Sequence, residues 1–323
     1  MDFIALTMVK NEEDIIEQFV RHNLIFFKKI YVFDHSSSDN TVKILNQLCA
    51  EGLPIVQVFD HSKTFSIGYA QTEIMTSILR LAIQDNGAGV YFPIDADEFM
   101  YPNVSTDELK RQIDALAPNT ALNIPWLAMA FPDNADERLF SDAPKSFELL
   151  ERWRDNPPHD NPRDKMAIKV TNPEIGNQLT LMQGNHNVLS NGAWVQKDYS
   201  CDSIRYIHVP VRSPEQAFRK FVCGWLSNVQ KFGRNSGFGI HWKNAFDLIC
   251  EDDGHVSTHL AYLLNCIYTD PAEIDKDFEM VDAKSIFKYE LAYGDMRKKG
   301  LGVILRNVES DFETLFTKLS QKT

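Results

Sequence analysis

The chain has 323 residues, 44% of them hydrophobic and 24% charged, and its formal net charge is −12. This profile is typical of a globular protein with one large domain, or with a core domain and a smaller C-terminal portion. The negative charge argues against a protein that binds nucleic acid or an acidic membrane through broad positive potential.

The cysteines and the N-terminal residues indicate where the protein works. The five cysteines are scattered and form no Cys-x-x-Cys pair, as expected for buried free thiols in a reducing compartment. Residues 1–7 lack the basic and apolar segments of a secretory signal. No run approaches the roughly 18 apolar residues of a membrane span. We therefore expect a soluble, cytoplasmic protein.

The first hundred residues alternate between apolar runs and segments with helical spacing. The apolar runs predict strands buried on both faces, at 3–9, 30–33, 55–59 and 90–94. Helices are predicted to begin near Glu12, near Asn40 and near Ala70. This alternation implies right-handed crossovers and a mostly parallel sheet. Later elements are predicted at 107–116 (helix), 121–126, 179–189 and 204–209 (strands), and from Pro214 onward (mainly helix).

Polar residues follow three of the predicted strands at the point where each strand ends. They are Lys10–Glu12, Asp34–Asp39 and Asp95–Glu98. Ligands of such sheets bind beyond the carboxyl ends of the strands. The three segments therefore predict one binding edge.

Asp95, Asp97 and Glu98 form a carboxylate cluster after the fourth strand. Because side chains alternate along an extended backbone, Asp95 and Asp97 are expected to point the same way. Neighbouring carboxylates repel each other unless a cation joins them, and Mn²⁺ or Mg²⁺ with oxygen ligands fits this need. The alternative is that both aspartates merely begin a loop.

Three segments, in this order, resemble motifs of family 2-like glycosyltransferases. They are Thr7–Glu12, Val32–Thr41 and Ile94–Phe99, the last with the Asp-x-Asp-Glu-Phe form of a branch related to glycosyltransferase family 92. The resemblance is close over residues 3–100 and looser over 101–225. It implies an α/β protein of the GT-A (Rossmann-like) fold, with a mostly parallel central sheet flanked by helices and a mainly helical C-terminal portion.

The resemblance also implies a function and a domain plan. The enzyme would transfer a sugar from a nucleotide-sugar donor, UDP-linked by default, to a glycan or lipid-linked saccharide, with Mn²⁺ or Mg²⁺. The expected setting is surface polysaccharide or lipopolysaccharide synthesis in the cytoplasm, with peripheral association at the inner face of a membrane. A GT-A domain would span 1–235, with a nucleotide-binding half at about 1–100 and an acceptor half at about 101–235, followed by a helical extension over 236–323.

Roles in the donor site follow from the same resemblance. Asp34 would accept a hydrogen bond from the base, Asp95 would contact the ribose or the metal, and Asp97 would bind the metal directly. The donor-binding residues are expected to be Thr7, Lys10, Asn11, Glu12, Asp34, Ser36, Gln71, Asp95 and Ala96. The plainer alternatives are turn or cap roles for Asp34 and Asp39, and a surface role for Lys10.

A late segment resembles the same branch in its order of His208, Arg212–Ser213, Lys220 and Gly224. His208 would be a further metal ligand beside Asp95 and Asp97, unless it is a histidine satisfied by a backbone partner. His186 would contact donor or acceptor. Lys220 or Arg212 would neutralise the leaving diphosphate, or be surface charges.

Glycosyl transfer passes through an oxocarbenium-like state, and an inverting enzyme also needs a general base. Glu151 is our preferred base over Asp133 and Asp155, although an ion pair with a nearby arginine would explain Glu151 equally well. Asp97 would act through the metal. The Glu-Asp pair that often carries the base in family 2 is not found, so the stereochemistry stays open.

Two other functions compete with the transferase. A metal-dependent phosphohydrolase would use Asp95 and Asp97 as nucleophile and acid, but Glu98–Phe99 follows them where Thr or Val would be expected. A non-catalytic nucleotide-sugar-binding module would favour a degraded carboxylate cluster, and this cluster is intact.

Overall fold

The computed structural model describes most of the first 251 residues and a few residues beyond them. The described residues are 1–59, 70–130, 152–154, 164–195, 197–200, 203–235, 237, 239–251, 260, 264, 279–280, 291–293 and 296. Side chains are not described at residues 126–130, 152–154, 198–200, 230–231 and 279–280. Among the described residues, no helix is both long and apolar enough to cross a membrane.

Strands and helices alternate through the first hundred described residues. The helices are α1 (Ile16–Asn23), α2 (Thr41–Ala50), α3 (Gln71–Asn86), α4 (Thr106–Asp114), α5 (Pro214–Phe232) and α6 (Ile240–Glu251). The strands are β1 (Phe3–Val9), β2 (Lys29–Asp34), β3 (Ile55–Val58), β4 (Gly89–Pro93), β5 (Glu98–Pro102), β6 (Ala121–Ile124), β7 (Trp126–Ala130), β8 (Arg152–Arg154), β9 (Lys165–Val170), β10 (Leu179–Leu181), β11 (Val188–Ser190), β12 (Ala193–Trp194), β13 (Lys197–Ser200), β14 (Ile204–His208) and β15 (Glu279–Met280).

The central sheet has seven strands in the order β13-β6-β9-β4-β1-β2-β3. Strands β3, β2, β1 and β4 pair in parallel, and so do β13 and β6. Strand β9 runs antiparallel between β4 and β6. The predicted class is therefore confirmed: the protein is α/β, with a mostly parallel central sheet flanked by helices.

Both faces of the central sheet are buried, which explains the unbroken apolar runs of its strands. In β1, Phe3 and Ala5 belong to one hydrophobic core, whereas Ile4 and Leu6 belong to the other. The Phe92 ring lies 5.1 Å from that of Phe3, centroid to centroid, so adjacent strands interlock on one face. Burial on two faces fixes the register of β1, because a slip of one residue would exchange its two faces.

Two strands of the central sheet continue into a second sheet, whose order is β15-β8-β7-β14-β5. Strand β4 leads through residues 94–97 into β5, and β6 leads across Pro125 into β7. The prediction of one strand over 121–126 is wrong in this respect. Pro125 has no N–H for the ladder, and its carbonyl accepts instead from the Tyr206 N–H at 2.9 Å.

Strand β9 was not expected from the sequence. Its residues Met166, Ala167 and Ile168 are buried, but Lys165 and Lys169 are also buried and interrupt the apolar pattern. The strand pairs β4 with β6 and brings its first residue, Lys165, to the carboxyl end of β4.

The described residues after 235 contact the rest of the chain. Helix α6 packs on α5, where a Cβ on Gly224 would lie 3.2 Å from the Trp242 ring. Strand β15 pairs with β8 in the second sheet. The backbone N–H groups of Ala292 and Tyr293 both donate to the Glu17 carboxylate. A domain boundary at 235 stays a prediction.

Candidate active site

The loops after β1 and β2 are joined by hydrogen bonds. The Asn11 N–H donates to Ser37 Oγ at 2.8 Å, and Asn11 Oδ1 accepts from the Ser38 N–H at 2.7 Å. Asn11 has a φ of 59°, a left-handed conformation that asparagine tolerates better than most residues. Asp39 accepts from the N–H groups of Glu13 and Thr41. Asp39 thus ties the two loops together and bonds the N–H of Thr41, the first residue of α2, whereas the N-cap residue is Asn40.

Two polar atoms on these strands are buried without a hydrogen-bond partner among the described residues. They are Thr7 Oγ1 and Asp34 Oδ1, and both have almost no solvent exposure. The other oxygen of Asp34 accepts from the Ser37 N–H at 3.1 Å, which fixes the carboxylate. Ser36 is exposed and has a φ of 61°, while Lys10 is partly buried. These four residues lie near the carboxyl ends of β1 and β2, as predicted.

Arg212 connects the first loop to the segment after β14. Its side chain is 1% exposed, and Nε donates to Asp14 Oδ2 at 2.6 Å while Nη2 donates to Glu12 Oε2 at 2.5 Å. Burial, with Asp14 and Asp97 nearby, raises the pKa of Glu12 to about 7 although Arg212 opposes the shift. The alternative of a surface charge is wrong for Arg212, which lies inside the protein.

Asp97 lies at the centre of a group of cationic and imidazole side chains. Its Oδ2 contacts the Lys220 ammonium, lies 3.3 Å from His208 Nε2 and lies 3.8 Å from Arg212 Nη1. Strand pairing produces this arrangement, because His208 is opposite Glu98 in the β14–β5 ladder and the Val209 N–H donates to the Asp97 carbonyl.

The protonation states of Asp97 and His208 at neutral pH suit two metal ligands. Burial disfavours the charged form of Asp97, but Lys220 and His208 outweigh it and hold the pKa of that carboxyl well below its usual range. Burial lowers the pKa of His208 to about 4, against the opposing effect of Asp97. At neutral pH the site therefore presents a carboxylate and a neutral imidazole, both competent metal ligands.

The expectation that Asp95 and Asp97 extend from a straight strand is wrong. Residues 95–98 form a turn in which the Glu98 N–H donates to the Asp95 carbonyl at 3.0 Å. Asp95 Oδ2 accepts from Lys165 Nζ at 2.6 Å, and Asp95 Oδ1 accepts from Asn185 Nδ2 at 2.9 Å. The carboxylates of Asp95 and Asp97 therefore have different sets of partners.

Gln71 and the turn at 183–185 complete the surroundings of Asp95. Gln71 is the first residue of α3, and its Nε2 lies 3.4 Å from Asp95 Oδ1. Its Oε1 accepts from the Gly184 N–H at 2.8 Å. His186 follows this turn, and burial, reinforced by Lys165, lowers its pKa to about 4. The structure thus brings Gln71 and Asp95 together, with the buried Ala96 beside them in the chain.

The metal prediction can be tested against the donor atoms present. Two neighbouring ligands of an octahedral ion, each at about 2.1 Å, are about 3 Å apart. The 3.3 Å between Asp97 Oδ2 and His208 Nε2 fits this spacing. In the described part of the chain, no group of three His, Cys, Asp or Glu side chains is arranged to hold a metal ion. Asp97 and His208 suit two ligands of a metal ion whose other ligands would be a bound diphosphate and water. The structure does not bring Asp95 into this group.

Several functional predictions fall outside the described residues. Glu151, the preferred general base, is one of them, as are the alternatives Asp133 and Asp155. Conversely, Lys165, Asn185 and Arg219 were not identified from the sequence. Arg219 donates to the Asn11 carbonyl and lies 3.5 Å from Asp39 Oδ2. Arg219 lies on α5, seven residues after Arg212, which precedes that helix.

Comparisons with known proteins give distant similarities. No protein-family model matches the chain, and no curated protein matches it. The solved structure of S. aureus TarS 1–349 with UDP is similar to this chain at 12% sequence identity and a TM-score of 0.36. The match covers 78% of this chain and 72% of the TarS chain. Glucosyl-3-phosphoglycerate synthase from Mycobacterium tuberculosis, with Mn²⁺, UDP and glucosyl-3-phosphoglycerate, is 14% identical, covers 55% and 59%, and has a TM-score of 0.28. The function of this chain must therefore be argued from its own side chains.

Proposed function

We propose that this protein is a metal-dependent glycosyltransferase that takes its sugar from a nucleoside-diphosphate donor. One observation carries the proposal: the three sequence segments of the resemblance meet at the carboxyl edge of the central sheet. Asp34 stands at one end of that edge, and the Asp97–His208 pair lies beyond the end of β4. This edge is where ligands of mostly parallel sheets bind.

The base would lie against the ends of β1 and β2. Asp34 Oδ1 accepts a ring N–H, and Thr7 Oγ1 supplies a second polar group nearby. Uracil, thymine and guanine each carry such an N–H beside a carbonyl, whereas cytosine does not. Asp34 should therefore favour UDP, dTDP or GDP over CDP, and UDP is the first donor to test.

The diphosphate would lie between the base and Asp97. Asp97 and His208 would hold a divalent ion, Mn²⁺ or Mg²⁺, which when bound offsets the charge that develops on the leaving diphosphate. Lys220 comes from α5 to the same carboxylate and is 24% exposed, so its ammonium can reach a bound phosphate by a change of rotamer. Arg212 and Arg219 hold the first loop in place from the same side.

In the same proposal, the acceptor is a hydroxyl of a saccharide or lipid-linked saccharide, and Glu151 is the candidate base. Surface polysaccharide synthesis, a cytoplasmic location and peripheral contact with the inner face of a membrane are part of the same proposal and come from the resemblance.

The test is calorimetric titration of UDP, GDP, CDP and dTDP into the purified protein with Mn²⁺ and then with EDTA. Asp97→Asn is the test variant, and Asp107→Asn, an exposed aspartate in the first turn of α4, is its matched control. We expect one diphosphate to bind tightly with Mn²⁺. Binding should weaken by about 10- to 100-fold with EDTA or Asp97→Asn and stay unchanged with Asp107→Asn.

Each other outcome has a definite meaning. Binding that ignores both EDTA and Asp97→Asn would keep the nucleotide pocket and remove the metal chemistry. If no diphosphate binds under any condition, the transferase proposal fails, and hydrolysis of generic phosphate esters becomes the next assay.

A further inference from the structure

Lys165 is buried beside the candidate donor site, and the proposed chemistry leaves it without a role. Its side chain is 4% exposed, although it carries a charge that burial disfavours. It reaches Asp95 Oδ2 at 2.6 Å, Glu98 Oε1 at 2.9 Å and the Gly184 carbonyl at 3.0 Å. Lys165 donates hydrogen bonds to Asp95 and Gly184 and forms an ion pair, but no hydrogen bond, with Glu98 Oε1. Its charge is therefore matched by carboxylates inside the protein.

The contacts of Lys165 join three separate parts of the fold. Lys165 begins β9, Asp95 and Glu98 bound the turn after β4, and Gly184 belongs to the turn that contacts α3. The Asp95 N–H also donates to Glu98 Oε2 at 2.9 Å, which closes the group. Lys165 thus holds the Oδ2 side of the Asp95 carboxylate, while Asn185 and Gln71 bond Oδ1.

The hydrogen bonds of Asp95 leave room for one further partner. A carboxylate offers about four acceptor positions. Lys165, Asn185 and Gln71 occupy three, and the side chain is still 34% exposed. A hydroxyl donor suits the remaining position. A divalent cation there would be repelled by the Lys165 ammonium 2.6 Å away, which is 4% exposed and fixed by its surroundings, whereas Lys220 beside Asp97 is 24% exposed and can move aside.

We propose that Lys165 is a positioning residue that withholds Asp95 from the metal and aligns it to accept a hydroxyl of the nucleotide-sugar donor. The inference rests on the proposed function. The resemblance gives Asp97 to the metal and leaves Asp95 between the ribose and the metal; Lys165 is the residue that decides for a donor hydroxyl.

The experiment compares Lys165→Met with a buried lysine on the same strand. Lys169 is also 4% exposed, and its ammonium donates to the backbone carbonyls of residues 113, 114 and 116, away from the site. Lys169→Met controls for the loss of a buried, fully bonded lysine. Calorimetry measures UDP affinity with Mn²⁺, and Mn²⁺ affinity without nucleotide, and urea unfolding measures stability.

Lys165→Met should weaken UDP binding by about 10- to 100-fold and leave Mn²⁺ affinity within about twofold of the wild type. Lys169→Met should lose stability but keep UDP affinity. The double variant Lys165→Met with Asp95→Asn should bind UDP no more than about twofold more weakly than Asp95→Asn alone, because both changes remove the same contact. Lys165→Arg, which keeps the charge, should recover part of the lost affinity.

The inference is overturned if Lys165→Met binds UDP as the wild type does, or if Asp95→Asn loses Mn²⁺ affinity as Asp97→Asn does. Should Lys165→Met not fold, Lys165→Met with Glu98→Gln removes both buried charges and carries the same test. If the wild type binds no diphosphate, the proposed function fails instead. The Mn²⁺ affinities of Asp95→Asn and Asp97→Asn then still decide which aspartate holds the metal.

Discussion

Replacing Arg212 with methionine should be among the most destabilising single changes in this protein. The guanidinium is 1% exposed and makes two bonds to Asp14, at 2.6 and 3.1 Å, one to Glu12 at 2.5 Å and one to the Val209 carbonyl at 3.3 Å. Methionine fills a similar length without the charge. The carboxylates would then face each other inside the protein without a cation, and the loss of one partner from a buried ion pair costs about 3–5 kcal/mol.

Arg21 provides a matched control for Arg212→Met. It also bonds two carboxylates, Glu51 at 2.8 and 2.9 Å and Glu17 at 3.0 Å, but its side chain is 19% exposed and that of Glu51 is 33% exposed. Solvent screens the Glu51 pair, and the buried Glu17 keeps the N–H groups of Ala292 and Tyr293 when Arg21 is replaced, so Arg21→Met should cost only about 1 kcal/mol.

Urea unfolding at pH 7.5, followed by tryptophan fluorescence and circular dichroism, measures both costs. The loss of unfolding free energy caused by Arg212→Met should also become smaller as the pH falls from 7.5 to 5. Burial already raises the pKa of Glu12 to about 7, and loss of the cation raises it further, so the folded state gains a proton that relieves the repulsion. If Arg212→Met costs no more than Arg21→Met, or if its cost does not depend on pH, Arg212 is not the buried hub described above.

Three further predictions follow from single contacts. In urea unfolding, Gly184→Ala should destabilise the protein by more than Gly192→Ala. Both glycines have a φ of 79°, which costs alanine about 1–2 kcal/mol. Of the two, only Gly184 would bring the new Cβ against a side chain, that of His186 at 2.5 Å. Burial lowers the pKa of His186 to about 4, so the folded state resists protonation and loses stability as the pH falls from about 6.5 to 4. In thermal or urea unfolding over that range, the wild type should lose about 3 kcal/mol more stability than His186→Gln. Equal losses in the two proteins would contradict the burial of His186. Lys220→Met should bind Mn²⁺ about fivefold more tightly without nucleotide, because it removes a cation that competes for Asp97, and weaker Mn²⁺ binding in calorimetry would show that Lys220 helps to build the site.

Strands β1, β2 and β4 were predictable because they are buried on two faces. An unbroken apolar run such as Phe3–Val9 is the sequence signature of such a strand, and β1 has the predicted bounds. The meeting of three polar segments at one edge then followed from parallel topology. Strand β9 was missed, because Lys165 and Lys169 are buried at positions where the pattern of a buried strand calls for apolar residues.

The local geometry of the site could not be predicted from the sequence. The turn at 95–98 separates two aspartates that a straight strand would align, and Lys165, which bonds the Asp95 carboxylate, is 70 residues away in the chain. Likewise, the role of Arg212 depends on Asp14, almost two hundred residues earlier. Such pairs have no periodicity in the sequence, so they appear only when the fold brings the elements together.

A crystal structure of the protein with UDP and Mn²⁺, with anomalous scattering recorded to locate the metal, tests the donor site most directly. Uracil should lie within hydrogen-bond distance of Asp34, and a manganese peak should lie on Asp97 and His208 with the diphosphate completing its coordination. Asp95 should lie outside that coordination and accept a hydroxyl. Nucleotide bound elsewhere, or manganese away from Asp97 and His208, would contradict the assignment of this edge as a donor site.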